Sequence, residues 1–267
     1  MASFQMDQAE GLRRLVDGPR PRIFTFLSAA TEEEKNATLV NLGATLASTG
    51  STVLLLDACP GARGVAASLG AADGASLLQV ACQERALNEA IELMPQGFGI
   101  ATLTHDALEA ALREPGQARR LAKVFDVLAT QTDIMLVDAE LGADDSLPLP
   151  AMAAADIVVQ VSASAASIKA AYSIIKRLHE RLGRRSYSVL VTGASEPVAQ
   201  QVYQNMMQTA KRYLSVPLVC LGTVPDDEHL ARAAGLGRPV VDAFPTAGAS
   251  IALRHVAGRL ALSEPRA

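Results

Sequence analysis

Short apolar runs rich in Val, Ile and Leu recur along the chain at residues 22–28, 52–57, 99–103, 134–138, 156–162, 188–193 and 217–222. Several are apolar at odd and even positions alike, the pattern of strands covered on two faces. Between them lie segments whose apolar residues recur with helical spacing, notably 33–48, 117–131, 165–182, 198–214 and 249–262. Strand alternating with helix predicts right-handed βαβ units, hence an α/β fold with a doubly wound, mostly parallel sheet. Ligands of such sheets collect beyond the carboxyl ends of the strands, which selects Ser28 onward, the stretch from Asp57 to Pro60, and that from Asp138 to Gly142.

One helical stretch, residues 4–16, stands ahead of the first strand. Asp17-Gly18-Pro19-Arg20-Pro21 separates it from the rest, and two prolines with a glycine make a hinge or tether. The expected organisation is therefore an N-terminal extension helix with its linker, residues 1–21, and one α/β domain, residues 22–267.

Composition narrows the function classes. Of 267 residues 49% are hydrophobic, 19% charged and 4% aromatic, a globular balance. No run reaches the roughly 18 apolar residues of a membrane-spanning helix. Lys and Arg number 24 against 28 Asp and Glu, for a net charge of −4, so there is no basic footprint for nucleic acid. The start Met1-Ala2-Ser3-Phe4 lacks a secretory leader pattern, and a cytoplasmic place is expected, with the cell pole or the inner-membrane periphery left open. Cys59, Cys82 and Cys220 show no metal spacing and the four histidines no ligand cluster, so no metal site is assigned. Cys59 has no local histidine to activate it as a nucleophile, and Gly61-Ala62-Arg63-Gly64 reads as a turn.

After the first strand comes Ala30-Thr31-Glu32-Glu33-Glu34-Lys35-Asn36, where a nucleotide-binding chain of this class keeps its phosphate loop. Such a loop needs glycines, because its backbone takes positive φ and its N–H groups close around phosphate. Here the glycine positions hold Thr and Glu. Asn36 stands where a Ser or Thr hydroxyl would hold Mg²⁺. Thr31 with Glu34 three residues on reads instead as an N-cap with its capping box. The glutamates then satisfy the helix dipole from within the chain, worth about 0.3–1 kcal/mol each, and would repel a triphosphate.

The order of these pieces resembles the MinD/ParA family of deviant P-loop ATPases, from about Pro21 to Leu262. Asn41-Leu42-Gly43 is similar to the family's Asn-Leu-Ala after the loop, and Val53-Leu54-Leu55-Leu56-Asp57-Ala58 to its second-strand Asp. Thr132-Asp133-Ile134-Met135-Leu136-Val137-Asp138 looks like the strand that ends in the metal-positioning Asp. Ala155-Asp156-Ile157-Val158-Val159, Ser167-Ile168-Lys169-Ala170-Ala171-Tyr172 and Leu221-Gly222-Thr223-Val224-Pro225-Asp226 resemble the later strands and helix. The departures fall in the active site. Ala30 replaces the signature lysine, Cys59 the second Asp of the Asp-x-Asp pair, and Thr192 the asparagine that reads adenine, while Glu140-Leu141 occupies a turn that is usually small or glycine-rich. Lys35, Asn36, Asp57 and Asp138 are the nucleotide-site remnant. Lys35, Asp57 and Asp138 either hold weak Mg-ATP or form an internal ion pair, and the ion pair is preferred. No cofactor is expected otherwise.

Asp7-Gln8-Ala9-Glu10-Gly11-Leu12-Arg13 resembles the activator motif of the family's flagellar branch, called FlhG, YlxH or FleN. In that branch the motif docks on the SRP-type GTPase FlhF and stimulates GTP hydrolysis. A helix turns about 100° per residue, so Phe4, Gln8, Leu12, Leu15 and Val16 share one stripe. On this stripe and the resemblance, Asp7 and Gln8 are expected to complete the partner's GTPase site, Leu12 and Leu15 to anchor the helix and Arg13 to make a charged contact, with Ala9 also counted in the partner-activating set. The competing reading packs this helix on its own domain. The terminal helix, with Leu253, Val256, Ala257 and Leu260 on one side and only two arginines, is expected to pack on the domain, leaving membrane contact weak or indirect.

The leading expectation is thus a regulator of flagellar number or placement that activates an FlhF-like GTPase while its own ATP site is degenerate, with no intrinsic catalytic residue. Flagellar regulatory or basal-body proteins are further expected partners. Two alternatives stay open: a slow ATPase that switches between monomer and ATP dimer, and a non-catalytic module that restrains a flagellar transcription factor.

Overall fold

The computed structural model describes residues 21–59, 64–105 and 115–262. The extension helix expected at residues 4–16, with Asp7, Gln8, Ala9, Leu12 and Arg13, lies outside the described residues. The strands are β1 (Arg22–Ser28), β2 (Val53–Asp57), β3 (Glu92–Leu93), β4 (Gly99–Thr102), β5 (Ile134–Asp138), β6 (Asp156–Ser162), β7 (Tyr187–Thr192) and β8 (Leu218–Val224). They form one sheet in the order β3-β4-β2-β5-β1-β6-β7-β8. Every pairing is parallel except that of β3 with β4.

The helices are α1 (Glu32–Ser48), α2 (Val65–Ser68), α3 (Leu77–Ala81), α4 (Pro115–Thr130), α5 (Pro150–Ala154), α6 (Ala165–Leu182), α7 (Glu196–Leu214), α8 (Glu228–Gly235), α9 (Val240–Ala243) and α10 (Gly248–Leu262). Residues of α3 to α7, such as Leu77, Phe125, Met152, Ile175 and Met206, share one buried cluster with one face of the sheet. Residues of α1, α2 and α8 to α10 share the other, among them Leu39, Val65, Ala233, Val240 and Leu253. Covering both faces explains why β2 and β5 are buried at every position and why their sequences are apolar without alternation.

Within the described residues, the expected strands and helices stand within a few residues of their predicted bounds. β8 begins at Leu218 and runs on to Val224, past the expected end at 222, and β7 gains Tyr187. The sequence pattern does not announce β3, because both its residues are exposed and two residues carry no period. β8 is an open edge, and an open edge exposes unpaired carbonyls. There Arg259 of α10 donates to the carbonyls of Cys220 and Leu221 at 2.9 and 3.0 Å. The terminal helix buries Leu253, Val256, Ala257 and Leu260 against the domain, as expected. Among the described residues no helix is long and apolar enough to cross a membrane.

Candidate functional site

β1 lies at the middle of the sheet between β5 and β6, so its carboxyl end delivers the chain to the centre of the ligand-binding rim. The loop that follows is closed by its own side chains. Ser28 Oγ accepts from the Ala30 amide at 3.1 Å. Thr31 is the N-cap of α1: its hydroxyl oxygen accepts from the Glu34 amide, and Glu34 Oε2 accepts from the Thr31 amide, each at 3.2 Å. This is the capping box expected from Thr31 and Glu34, and it satisfies two amide donors that a helix N-terminus otherwise leaves open. Thr31, Glu32 and Glu33 are exposed. The other oxygen of Glu34 reaches toward Gly193 after β7, where an added Cβ would stand 3.0 Å from it, and the φ of +65° at Gly193 is what favours glycine there.

Directly beneath, the site is buried and polar. Asp57 and Asp138 end neighbouring parallel strands and are register partners, which places their carboxyl groups side by side. Lys35, from the first turn of α1, sends Nζ to Asp138 Oδ2 at 2.9 Å and to Cys59 Sγ at 3.5 Å. The Val65 amide also donates to Asp138 Oδ2, at 3.1 Å. Among the described residues Asp57 makes no ion pair; its two oxygens accept from the amides of Cys59 at 3.0 Å and Ala66 at 2.8 Å. Those bonds hold the start of α2 against β2 so closely that a Cβ on Gly64 would lie 1.9 Å from Asp57 Oδ2. Exposure is 4% for Lys35, 3% for Asp57, 2% for Cys59 and 0% for Asp138, so every interaction here acts in a medium far less polar than water.

Burial sets the protonation states. Burial first, with the nearby Asp138 charge, raises the Asp57 carboxyl to about 6 against the pull of the Ala66 and Cys59 amides. Burial pulls the Lys35 ammonium down, but Asp138 and then Cys59 outweigh it and the group is held above its ordinary value. Burial and the Asp138 charge push the Cys59 thiol well up, so it is a neutral thiol and no nucleophile. Among the described residues, two buried oxygens in this region, Asn36 Oδ1 and Asp138 Oδ1, find no hydrogen-bond partner.

No family-wide sequence model matches the chain. The antiactivator FleN of Pseudomonas aeruginosa is 30% identical over 222 residues, covering 83% of this chain and 79% of that protein. The chain belongs to the MinD/ParA family, on its FleN-like branch. Solved structures show the same fold: the cell division ATPase MinD of Pyrococcus furiosus superimposes with a TM-score of 0.64 at 19% identity, covering 90% of this chain and 98% of that one. The ATP complex of a McdA variant from Cyanothece superimposes with a TM-score of 0.66 at 15% identity, covering 92% and 98%.

In this MinD/ParA chain the remnant residues Lys35, Asp57 and Asp138 are brought together, with Asn36 next to Lys35 on α1. The expected lysine–carboxylate pair forms with Asp138 alone, because the two oxygens of Asp57 already hold the backbone of the β2–α2 connection. Thr192, the position at which the family resemblance expects an adenine-reading asparagine, is 4% exposed and lies 3.2 Å from Gln160 Nε2. Gln160 itself escaped the sequence reading. Its amide nitrogen also reaches Thr38 Oγ1 at 3.1 Å and the Glu34 carbonyl at 3.4 Å, and its Oε1 accepts from Ser28 at 3.4 Å. One side chain thus ties β1, α1, β6 and β7 together beneath the loop. The signal was present: a glutamine in mid-strand, in a run otherwise apolar on both faces, must find partners or lose free energy on burial. Asn41, matched to the family's Asn-Leu-Ala, accepts from the Val240 amide at 2.7 Å and joins α1 to α9.

Proposed function

We propose that this chain regulates flagellar assembly as a MinD-type scaffold whose phosphate loop is closed by its own side chains, and that it works by carrying residues 7–13 to an SRP-type GTPase of the FlhF kind. The observation that carries the first half is the capping box at Thr31 and Glu34. A helix N-terminus binds phosphate through free amides and the positive end of its dipole. Here two of those amides are engaged and three carboxylates stand in the first turn. Lys35, which would reach the phosphates, is engaged with Asp138. These residues do not fit a polyphosphate, and phosphoryl transfer, which is mostly positioning and electrostatic stabilisation, has little left to use. The second half is supported by the similarity to FleN and by the match of Asp7, Gln8, Leu12 and Arg13 to the activator motif.

The test is the GTPase rate of the partner with and without the full-length chain. The wild type raises that rate and a Gln8→Ala chain does not. Equal stimulation by both, together with no effect of a residue 4–16 peptide, overturns the reading. The slow-ATPase alternative is favoured by one observation, the unpartnered oxygens of Asn36 and Asp138 beside Lys35. Thermal unfolding with millimolar Mg-ATP separates the two, since a ligand at 100 times its Kd stabilises by about 2.7 kcal/mol and a closed loop yields no shift. The alternative of restraining a transcription factor is supported by the antiactivator name of the FleN relative. It predicts binding to such a factor by a chain that leaves GTP turnover unchanged.

A further inference from the structure

Cys59 changes the chemistry of the buried carboxylates. One ligand atom from each of Asp57, Cys59 and Asp138 lies within 4.8 Å of the others, and all three residues are buried. Around a tetrahedral Zn²⁺, with bonds of about 2.0–2.3 Å, ligand atoms stand about 3.3–3.8 Å apart, so side-chain shifts of about an ångström close the set. Asp138 Oδ1 has no partner among the described residues in a side chain that is fully buried, and an orphaned carboxylate oxygen loses hydration without recovering it. The cluster already draws a cation, since the Lys35 ammonium stands within hydrogen-bond reach of Asp138 and of Cys59.

We infer that Asp57, Cys59 and Asp138 form a binding site for a thiophilic divalent cation of the Zn²⁺ class, independent of nucleotide. Charge counting favours it. Without metal, Lys35 carries one positive charge against two carboxylates. When M²⁺ binds, Cys59–S–H becomes Cys59–S⁻–M²⁺ and one proton leaves to solvent, so three negative ligands face the metal and the lysine, and the buried cluster becomes neutral. A thiolate in the set selects Zn²⁺ or Co²⁺ over Mg²⁺, which demands an octahedron of hard oxygens. Lys35 stays paired through Asp138 Oδ2 while Oδ1 turns to the metal. The site rests on this cluster alone and not on the GTPase reading.

Co²⁺ titration of the metal-free, reduced full-length protein tests it. A Cys82→Ser/Cys220→Ser chain leaves Cys59 as the sole thiol. That chain should show a sulfur-to-cobalt charge-transfer band saturating at one Co²⁺ per chain, one proton released per metal, and loss of the band when Zn²⁺ is added but not in a hundredfold excess of Mg²⁺. Cys59→Ser, with its fold checked by circular dichroism, should lose the band and bind at least tenfold more weakly. The inference is overturned if the Cys82→Ser/Cys220→Ser chain shows no band, or if Cys59→Ser keeps it. GTPase stimulation is read separately on chelator-treated protein, so the two proposals fail independently.

Discussion

Negative charge is concentrated at two places on the same rim, and the two could hardly differ more. Glu32 and Glu33 stand in solvent at the start of α1, where water and the helix dipole accommodate them and each contributes a fraction of a kcal/mol. Asp57 and Asp138, one layer below, are 3% and 0% exposed, and their charges are held by one lysine and three backbone amides. The same carboxylate chemistry is thus a mild local adjustment in one place and a determinant of stability in the other. Sequence position does not distinguish the two groups; depth does.

Four experiments probe that difference, in decreasing order of expected effect. Lys35→Met should be the most damaging, because it leaves the Asp138 charge buried with a single amide donor; removing one partner of a buried pair costs about 3–5 kcal/mol. Urea unfolding should show that loss, and a Lys35→Met/Asp138→Leu chain should recover much of it. If the single variant unfolds at the wild-type midpoint, the buried pair is not what holds α1 to β5.

The second effect depends on pH. Burial raises Asp57 to about 6 in the folded chain, above its ordinary value near 3.8. Between those values the folded state binds more protons than the unfolded one, so stability falls as pH rises through this window and levels off above it. A difference of this size corresponds to about 3 kcal/mol. Asp57→Asn should flatten the slope of unfolding curves between about pH 4 and about pH 6. A slope of equal size in the variant assigns it to another group.

Breaking the capping box comes third. Thr31→Ala should lower stability by about 1 kcal/mol, the usual loss of an N-cap, without altering the Lys35 pair beneath. The smallest effect belongs to the exposed pair of Arg181 with Asp144, 3.7 Å apart on half-exposed side chains. Arg181→Ala should shift stability by no more than about 0.5 kcal/mol and should do so less in high salt. A larger loss there would mean that depth is a poor guide to the worth of charge in this protein.

Much of the fold was legible from pattern. β2 and β5 read as doubly covered strands because Leu54, Leu55 and Leu56, like Met135, Leu136 and Val137, leave no polar face. The capping box was legible because its two residues are local, three apart, and need nothing from the rest of the chain. Asp57 and Asp138 were recognisable as rim residues, since each ends an apolar run at its carboxyl side. What escaped was long-range. Gln160 contacts Thr38, 122 residues away, and Thr192, 32 away. β3 is defined only by its neighbour β4, and Arg259 meets the edge of β8 from 38 and 39 positions downstream.

The amino-acid sequence by itself determined the period of every major element, the start of α1, and the set of residues facing the rim, because these depend on side-chain alternation and on contacts within a turn. Only the tertiary structure decided that Lys35 takes Asp138 and leaves Asp57 to the backbone, that Cys59 closes a three-ligand cluster with both carboxylates, and that these groups are dry while the glutamates above them are wet. Strand register and burial fix those choices, and both belong to the packed sheet rather than to any segment of the chain.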